Sequence, residues 1–179
     1  MNKVLVAYST WAGATHQVAD EIGSNLNKNN FQVSILPAKD VKSVSDYQVV
    51  ILGTSIHAGQ TTGDFNRFLN RFQKELARKK TGYFVVCLNM IEDNEKNKVE
   101  TLGWLNKAIL KYPEIKPISL GLFAGAALTD SEEFNKQNIL VKKLIESMKT
   151  SMDTEKGKSD FREWEKIHTW TAELAEKIA

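Results

Sequence analysis

Seven consecutive residues, Ser9-Thr10-Trp11-Ala12-Gly13-Ala14-Thr15, carry the clearest chemical signal in the chain. They follow the apolar run Val4 to Tyr8 and open into a segment whose apolar residues Val18, Ile22 and Leu26 recur at steps of four. A strand that turns into a helix through small and hydroxyl-bearing residues presents backbone N–H groups to an anion. Here the Thr10 and Thr15 hydroxyls join them, with the positive end of the helix dipole behind. Neither Gly-x-x-x-x-Gly-Lys-Ser/Thr nor Gly-x-Gly-x-x-Gly occurs at this turn, so it suits a monophosphate better than a triphosphate or pyrophosphate. The same residue types also suit an ordinary helix cap by Ser9 or Thr10, and on composition alone the two readings stand level.

Two further segments follow apolar runs. Gly53-Thr54-Ser55-Ile56-His57-Ala58-Gly59-Gln60-Thr61-Thr62-Gly63 comes after Tyr47 to Leu52, and its glycines and small side chains permit a flat ligand to approach the backbone closely. Leu88-Asn89-Met90-Ile91-Glu92-Asp93-Asn94 comes after Cys87, and Met90 and Ile91 are expected to stand exposed and flank an apolar ring. His57 is the one histidine in these loops; it can hydrogen-bond a ring edge, stabilise negative charge when protonated, or relay a proton, and exposure to water is its plainer reading. His16 falls in the first turn of the first helix, facing either the phosphate or water, and His168 on the last helix reads as structural. Cys87, inside an apolar strand, reads as an inert buried thiol. No residue is offered as a catalytic acid, base or nucleophile, and no metal-ligand set is offered.

The elements that must hold these loops alternate. Val4 to Tyr8, Val33 to Leu36, Tyr47 to Leu52, Tyr83 to Leu88 and Ile118 to Phe123 are short β-branched runs, several of them apolar on both faces, as in parallel strands covered from both sides. Between and after them lie helical stripes: Val18 to Leu26; Phe65, Phe68, Leu69, Phe72 and Leu76; Val99, Leu102, Leu105 and Ile109; Val141, Leu144, Ile145 and Met148; and Trp164 to Ile178. Five strands and five helices in this order predict an α/β doubly wound five-stranded parallel sheet with helices on both faces, in one domain spanning 1–179. In such a sheet ligands bind beyond the carboxyl ends of the strands, where the three loops fall. The polar stretch Ser147 to Asp160, with Gly157, predicts a surface loop, and Ser159 or Asp160 is expected to cap the last helix. Arg78-Lys79-Lys80 reads as basic residues complementing a helix C-terminus.

Lys plus Arg total 24 against 22 Asp plus Glu, a net +2 that leaves nothing for non-specific nucleic-acid binding. A single cysteine excludes an internal disulfide and points to a reducing, cytoplasmic setting. The N-terminal apolar run reads as a first strand, being too short for a signal-peptide core, and no run reaches the 18 apolar residues of a membrane span; peripheral membrane contact stays open.

Tyr8 to Thr15, followed by Val18-Ala19-Asp20-Glu21-Ile22, resembles the FMN phosphate loop and first helix of the flavodoxin family. Within that superfamily Leu52-Gly53-Thr54-Ser55-Ile56, Phe123-Ala124-Gly125-Ala126 and Trp164-Glu165-Lys166-Ile167 resemble the menaquinone-dependent protoporphyrinogen IX dehydrogenase branch. The resemblance implies a flavodoxin-like fold and an FMN cofactor whose phosphate lies on Thr10 to Thr15 and whose ring lies beside Ser55 to Gln60, with Trp11 over the ribityl chain. It further implies an oxidoreductase or electron-transfer protein with a redox partner or a small-molecule donor and acceptor, quinone or porphyrinogen among them. Two features depart from it: Ala12 and Ala14 stand where many flavodoxins carry a hydroxyl or amide, and Leu128 to Asn135 is acidic and polar where the branch carries a basic, aromatic-rich insertion. A receiver-like binding module on the same scaffold is the rival reading, although Ser9 and Thr10 stand where its magnesium-binding acids belong. A hydrolase lacks its Gly-x-Ser-x-Gly elbow.

Overall fold

A computed structural model describes residues 2–179. Six strands form, β1 (Lys3–Ser9), β2 (Gln32–Pro37), β3 (Val49–His57), β4 (Gln60–Thr61), β5 (Lys80–Cys87) and β6 (Pro117–Ala124). The helices are α1 (Ala14–Lys28), α2 (Gly63–Leu76), α3 (Glu95–Ile109), α4 (Glu132–Asn135), α5 (Ile139–Lys156) and α6 (Trp164–Ile178). Five strands pair in parallel in the order β2-β1-β3-β5-β6, as the alternating sequence predicts; two-residue β4 pairs antiparallel with the end of β3.

The doubly apolar strands face two cores. Leu5, Leu52, Tyr83 and Val85 point to one side, where they meet Phe65, Phe68, Leu69 and Phe72 of α2 and Leu105 of α3. Val4, Val6, Ile51 and Phe84 point to the other, against Val18, Ile22 and Leu26 of α1 and Ile167, Trp170 and Leu174 of α6. Alternate side chains of a strand necessarily face opposite sides, so burial on both sides demands apolar residues at every position.

The second half of the chain departs from its sequence pattern at several points. Ser147 to Asp160 is not a loop: α5 runs to Lys156 and stops at Gly157, whose φ of 70° supplies the left-handed residue that ends many helices. Its last turns are polar because they face solvent, tied together by Lys149–Asp153, Ser151–Glu155 and Thr154–Thr150 contacts four residues apart. Neither Ser159 nor Asp160 caps α6, which begins at Trp164 after Glu163; Asp160 instead accepts from Arg162 N and Nε. In α3 the buried stripe is Thr101, Leu105 and Ala108, and Val99 is exposed. Lys79 leaves its helix end to donate to the Tyr47 carbonyl, and Lys80 already belongs to β5.

The excursion from Gly125 to Glu163, containing α4 and α5, leaves β6 and returns to it. A bridge between Ala126 and Asp160 and a bond from Phe161 N to Gly125 O close its base. It therefore stands on the carboxyl-end face of the sheet as a separate cap.

Gly53 shows how tight the sheet is. A Cβ built there would lie 2.1 Å from Phe84 Cζ on the adjacent strand. Gly53→Ala is expected to cost about 1–3 kcal/mol through overpacking. Chemical denaturation should show that loss and its partial recovery in Gly53→Ala/Phe84→Leu; no loss would mean the ring swings away freely.

Candidate functional site

A cavity of about 570 Å³ opens at the carboxyl ends of β1, β3, β5 and β6. Its walls include Thr10, Trp11, Ala12, Ala14 and Thr15 from the first predicted loop, Ser55 to Gly59 from the second and Asn89 from the third. Three loops far apart in sequence thus share one space, because parallel strands deliver all their carboxyl ends to the same face.

In the first loop the helix starts uncapped. Gly13, at φ 92°, is the N-cap of α1 and makes no side-chain cap bond; the Thr10 hydroxyl accepts from Gly13 N at 3.0 Å and closes the turn itself. Ser9 is buried away from the cavity, where its hydroxyl accepts from Thr62 Oγ1 at 2.5 Å. Neither hydroxyl therefore caps α1. Thr15 lines the cavity, is fully buried, and its Oγ1 has no hydrogen-bond partner among the described residues. A buried hydroxyl without a partner costs roughly 1–3 kcal/mol, so the position wants a ligand atom or water.

The cap grips this loop. Ser131 Oγ donates to the Ala12 carbonyl at 2.8 Å and Gln137 Nε2 to the Trp11 carbonyl at 2.8 Å, while Phe134 and Ile145 pack on Ala12. A Cβ on Gly13 would meet Ser131 Cβ at 2.7 Å, so the close approach of the cap needs glycine there. His16 lies outside the cavity lining and is partly exposed: it stacks on Tyr8 with centroids 4.3 Å apart and its Nδ1 lies 2.5 Å from Glu133 Oε1. Burial, with Glu133 nearby, holds the Tyr8 phenol well above its ordinary pKa.

The second loop is a tight hairpin. His57 pairs with Gln60, and Ala58 and Gly59 between them have φ of 47° and 71°, the left-handed pair that a two-residue hairpin of primed type requires. A Cβ on Gly59 would sit 3.0 Å from Trp104 Nε1 of α3. Across the cavity mouth the His57 and Trp11 rings meet with centroids 3.9 Å apart. His57 Nε2 lies 3.2 Å from Ser55 Oγ, and burial pulls the imidazole pKa down to about 4. The ring is therefore neutral at pH 7, and no positive charge stands ready there.

Several expected residues lie elsewhere. Met90 is fully buried among core residues under a 3₁₀ turn, and neither it nor Ile91 lines the cavity, because the turn at Leu88–Ile91 folds the methionine inward. Asn89 lines it and is held by bonds from its Nδ2 to Thr101 Oγ1 and Asn97 O. Thr54 is buried in a hydroxyl cluster with Thr62; Ser9, Gly13, Thr54 and Gln60 are absent from the lining. Conversely Trp104, the Gly125 to Ala127 stretch and Leu144, Ile145 and Met148 of α5 line the cavity without having been singled out for it. Their sequence signal was a tryptophan off the α3 stripe and an α5 stripe wider than one packing face needs. Cys87 also borders the cavity, with burial raising its pKa.

Residues 5–160 match the flavodoxin domain. The chain belongs to the flavodoxin family. It is 30% identical over 127 residues to a protoporphyrinogen IX dehydrogenase (quinone) of Leishmania major, covering 69% of this chain and 54% of that protein, so the match spans about half of the longer relative. The protein of the same name from Escherichia coli K12 is 21% identical over 175 residues, covering 97% of this chain and 94% of the relative. A mutant flavodoxin of Fusobacterium nucleatum bound to flavin mononucleotide superposes with a TM-score of 0.52 at 16% identity, over 100% of this chain and 98% of that one.

For a flavodoxin-family chain the group to test against the cavity is FMN, and the residues fit it. An uncapped helix N-terminus and an unpartnered Thr15 hydroxyl match a phosphate monoester, and a cavity of about 570 Å³ sits within the usual range of roughly 300–1,000 Å³ for small-molecule sites. No Lys or Arg lines the cavity among the described residues, so a phosphate placed there would meet amides, dipole and hydroxyl.

The depressed His57 pKa has a consequence for stability. Unfolded, the imidazole takes a proton near pH 6.5; folded, it stays neutral down to about pH 4. Stability carried by neutral His57 is thus complete above pH 6.5 and falls as pH drops toward 4. Denaturation of wild type and His57→Gln across pH 4–8 should show the wild type losing more stability below 6.5, by a few kcal/mol at most. Parallel curves would mean the ring takes up its proton without hindrance.

Proposed function

We propose that this protein is an FMN-dependent oxidoreductase that acts on small molecules, reducing a quinone at the expense of a porphyrinogen-like donor. The observation that supports it is the composition of the cavity: hydrogen-bond donors without side-chain caps at the start of α1, and a mainly apolar lining, with Ser55, His57 and Asn89 among its polar members, to which α5 contributes Leu144, Ile145 and Met148. A protein that only exchanges electrons with other proteins has no need of such a covering. The two relatives named as quinone-linked protoporphyrinogen IX dehydrogenases point the same way.

In this reading the α1 amides and Thr15 Oγ1 bind the phosphate, and the Gly59 turn and Trp104 position the ring. Bound FMN supplies the two-electron chemistry, for which the side chains of the cavity have no equivalent. Neutral His57 contributes a hydrogen-bonding edge without a charge, and the cap, bonded to the Trp11 and Ala12 carbonyls, excludes water from the phosphate loop. The buried single thiol suits a reducing, cytoplasmic setting, and among the described residues no helix is long and apolar enough to cross a membrane.

The test has two parts. FMN-loaded protein is assayed with protoporphyrinogen and a quinone, and turnover requiring both is expected; reduction of no quinone alongside rapid exchange with an electron-carrier protein would replace this reading by that of a shuttle. Thr15→Val removes one hydrogen bond to a charged group, about 1.5–3 kcal/mol, so FMN affinity should fall roughly tenfold to a hundredfold. The apoprotein, relieved of an unpartnered hydroxyl, should melt no lower than wild type. Unchanged FMN affinity would remove the phosphate from Thr15.

A further inference from the structure

One row of α3 holds a wall of the cavity in place. Asn97, Thr101 and Trp104 follow one another at steps of four and three, the spacing that sets side chains above one another on a helix. Trp104 lines the cavity and lies against Gly59; Thr101, three residues earlier and so about 4.5 Å back along the axis, is wholly buried. Between this row and the end of β5 stands the half-buried Asn89, a member of the same lining. Its Nδ2 donates to Thr101 Oγ1 at 3.1 Å and to the Asn97 carbonyl at 3.2 Å. Thr101 Oγ1 also lies 3.9 Å from Cys87 Sγ, so the hydroxyl is itself held.

The Asn89 amide cannot be turned end for end. A backbone carbonyl only accepts, so the nitrogen must face Asn97. With both of its hydrogens spent on α3, the oxygen is the group left for the cavity.

We propose that Thr101 is a positioning residue for the redox chemistry: it fixes Asn89 as a hydrogen-bond acceptor toward the flavin ring and so favours the oxidised cofactor over the reduced one. On reduction the ring takes two electrons from the donor substrate and one proton from solvent, and keeps one net negative charge. An acceptor oxygen suits the electron-poor oxidised ring better than that anion, whereas an amide N–H would do the reverse. No cationic side chain of the lining offsets the preference, since neither Lys nor Arg lines the cavity among the described residues and His57 is neutral at pH 7. The inference rests on FMN occupying the cavity and holds whichever substrates the protein uses.

A plainer account gives Asn89 and Thr101 only the task of tying the 3₁₀ turn at Leu88–Ile91 to α3. Loss of such a tie weakens the binding of oxidised and reduced FMN alike. The ratio of the two affinities, which sets the potential of the bound cofactor, separates the accounts.

The experiment measures the dissociation constants of oxidised and reduced FMN, together with the potential of the bound cofactor, in wild type and four variants. Thr101→Val frees one amide hydrogen for the ring, and the affinity ratio should shift at least tenfold toward the reduced form, a rise of about 30 mV for a two-electron couple. Asn89→Leu removes the oxygen and should shift the ratio the same way, at least threefold. Asn89→Asp puts a carboxylate in its place and should shift it at least threefold the opposite way. Thr101→Ser keeps the hydroxyl and should keep the wild-type ratio. An unchanged ratio in Thr101→Val and Asn89→Leu, with FMN still bound, overturns the proposal, and so does a shift of the same sign in Asn89→Leu and Asn89→Asp. A shift in Thr101→Ser as large as that in Thr101→Val removes the role of the hydroxyl and overturns it too. Should Thr101→Val fail to fold, the opposed signs of the two Asn89 variants decide. Wild-type protein that takes up no FMN in either state overturns the cofactor reading itself.

Discussion

Helix α1 begins in a desolvated place with no side chain to cap it. The first N–H groups of any helix lack partners within it, and proteins usually satisfy them with Ser, Thr, Asp or Asn at the N-cap. Here the N-cap is Gly13, the nearby Thr10 hydroxyl is spent on closing the turn, and Ser9 is turned into a separate cluster with Thr62. The unsatisfied end sits where β1 delivers it, on the carboxyl-end face of the sheet, beside the equally unpartnered Thr15 hydroxyl. An anion is the natural complement of such an end, and the surrounding elements are disposed so that one can reach it and water is largely kept away.

The cap formed by α4 and α5 follows from the same constraint. It binds the loop by its carbonyls, through Ser131 and Gln137, and so leaves the amides free. Glycine at position 13 does two jobs there, since it takes the left-handed φ of the N-cap and leaves room for Ser131. The His16–Glu133 pair and the Tyr8–His16 stack tie the same cap to the outer side of α1. A helix held over the cavity in this way must turn some apolar surface inward, and α5 turns more than the cavity uses.

The middle strand end supplies the other wall. The His57–Gln60 hairpin reverses the chain within two residues through the left-handed pair of a type I′ turn; Ala58 accepts a conformation unfavourable to its Cβ, and Gly59 lies against Trp104. His57 ends up between Trp11 and the cavity, dry enough to lose its tendency to protonate. The wall presents polar atoms without fixed charge, a suitable surrounding for a ring whose own charge changes as it is reduced.

How much of this was legible in the residues depends on the range of the interactions involved. Strand runs apolar on both faces and helical stripes at Val18, Ile22 and Leu26 or Phe65 to Leu76 are local consequences of burial, so the doubly wound sheet and the three loops at its carboxyl ends could be read in advance. The glycine and hydroxyl content of residues 9–15 likewise suited an anion-binding turn, level with a plain helix cap. Whether Ser9 or Thr15 faces the cavity could not be read, since that depends on Thr62, 53 residues from Ser9, claiming the Ser9 hydroxyl. Met90 is buried, not exposed, for a related reason: a single 3₁₀ turn decides which way a side chain leaves a strand end. The polar end of α5 looked like a loop because a helix exposed on most sides has a loop's composition. Trp104, Ala126 and Leu144 became lining residues only when non-local packing folded α3 and the cap over the same strand ends, and short-range sequence patterns carry no record of that choice.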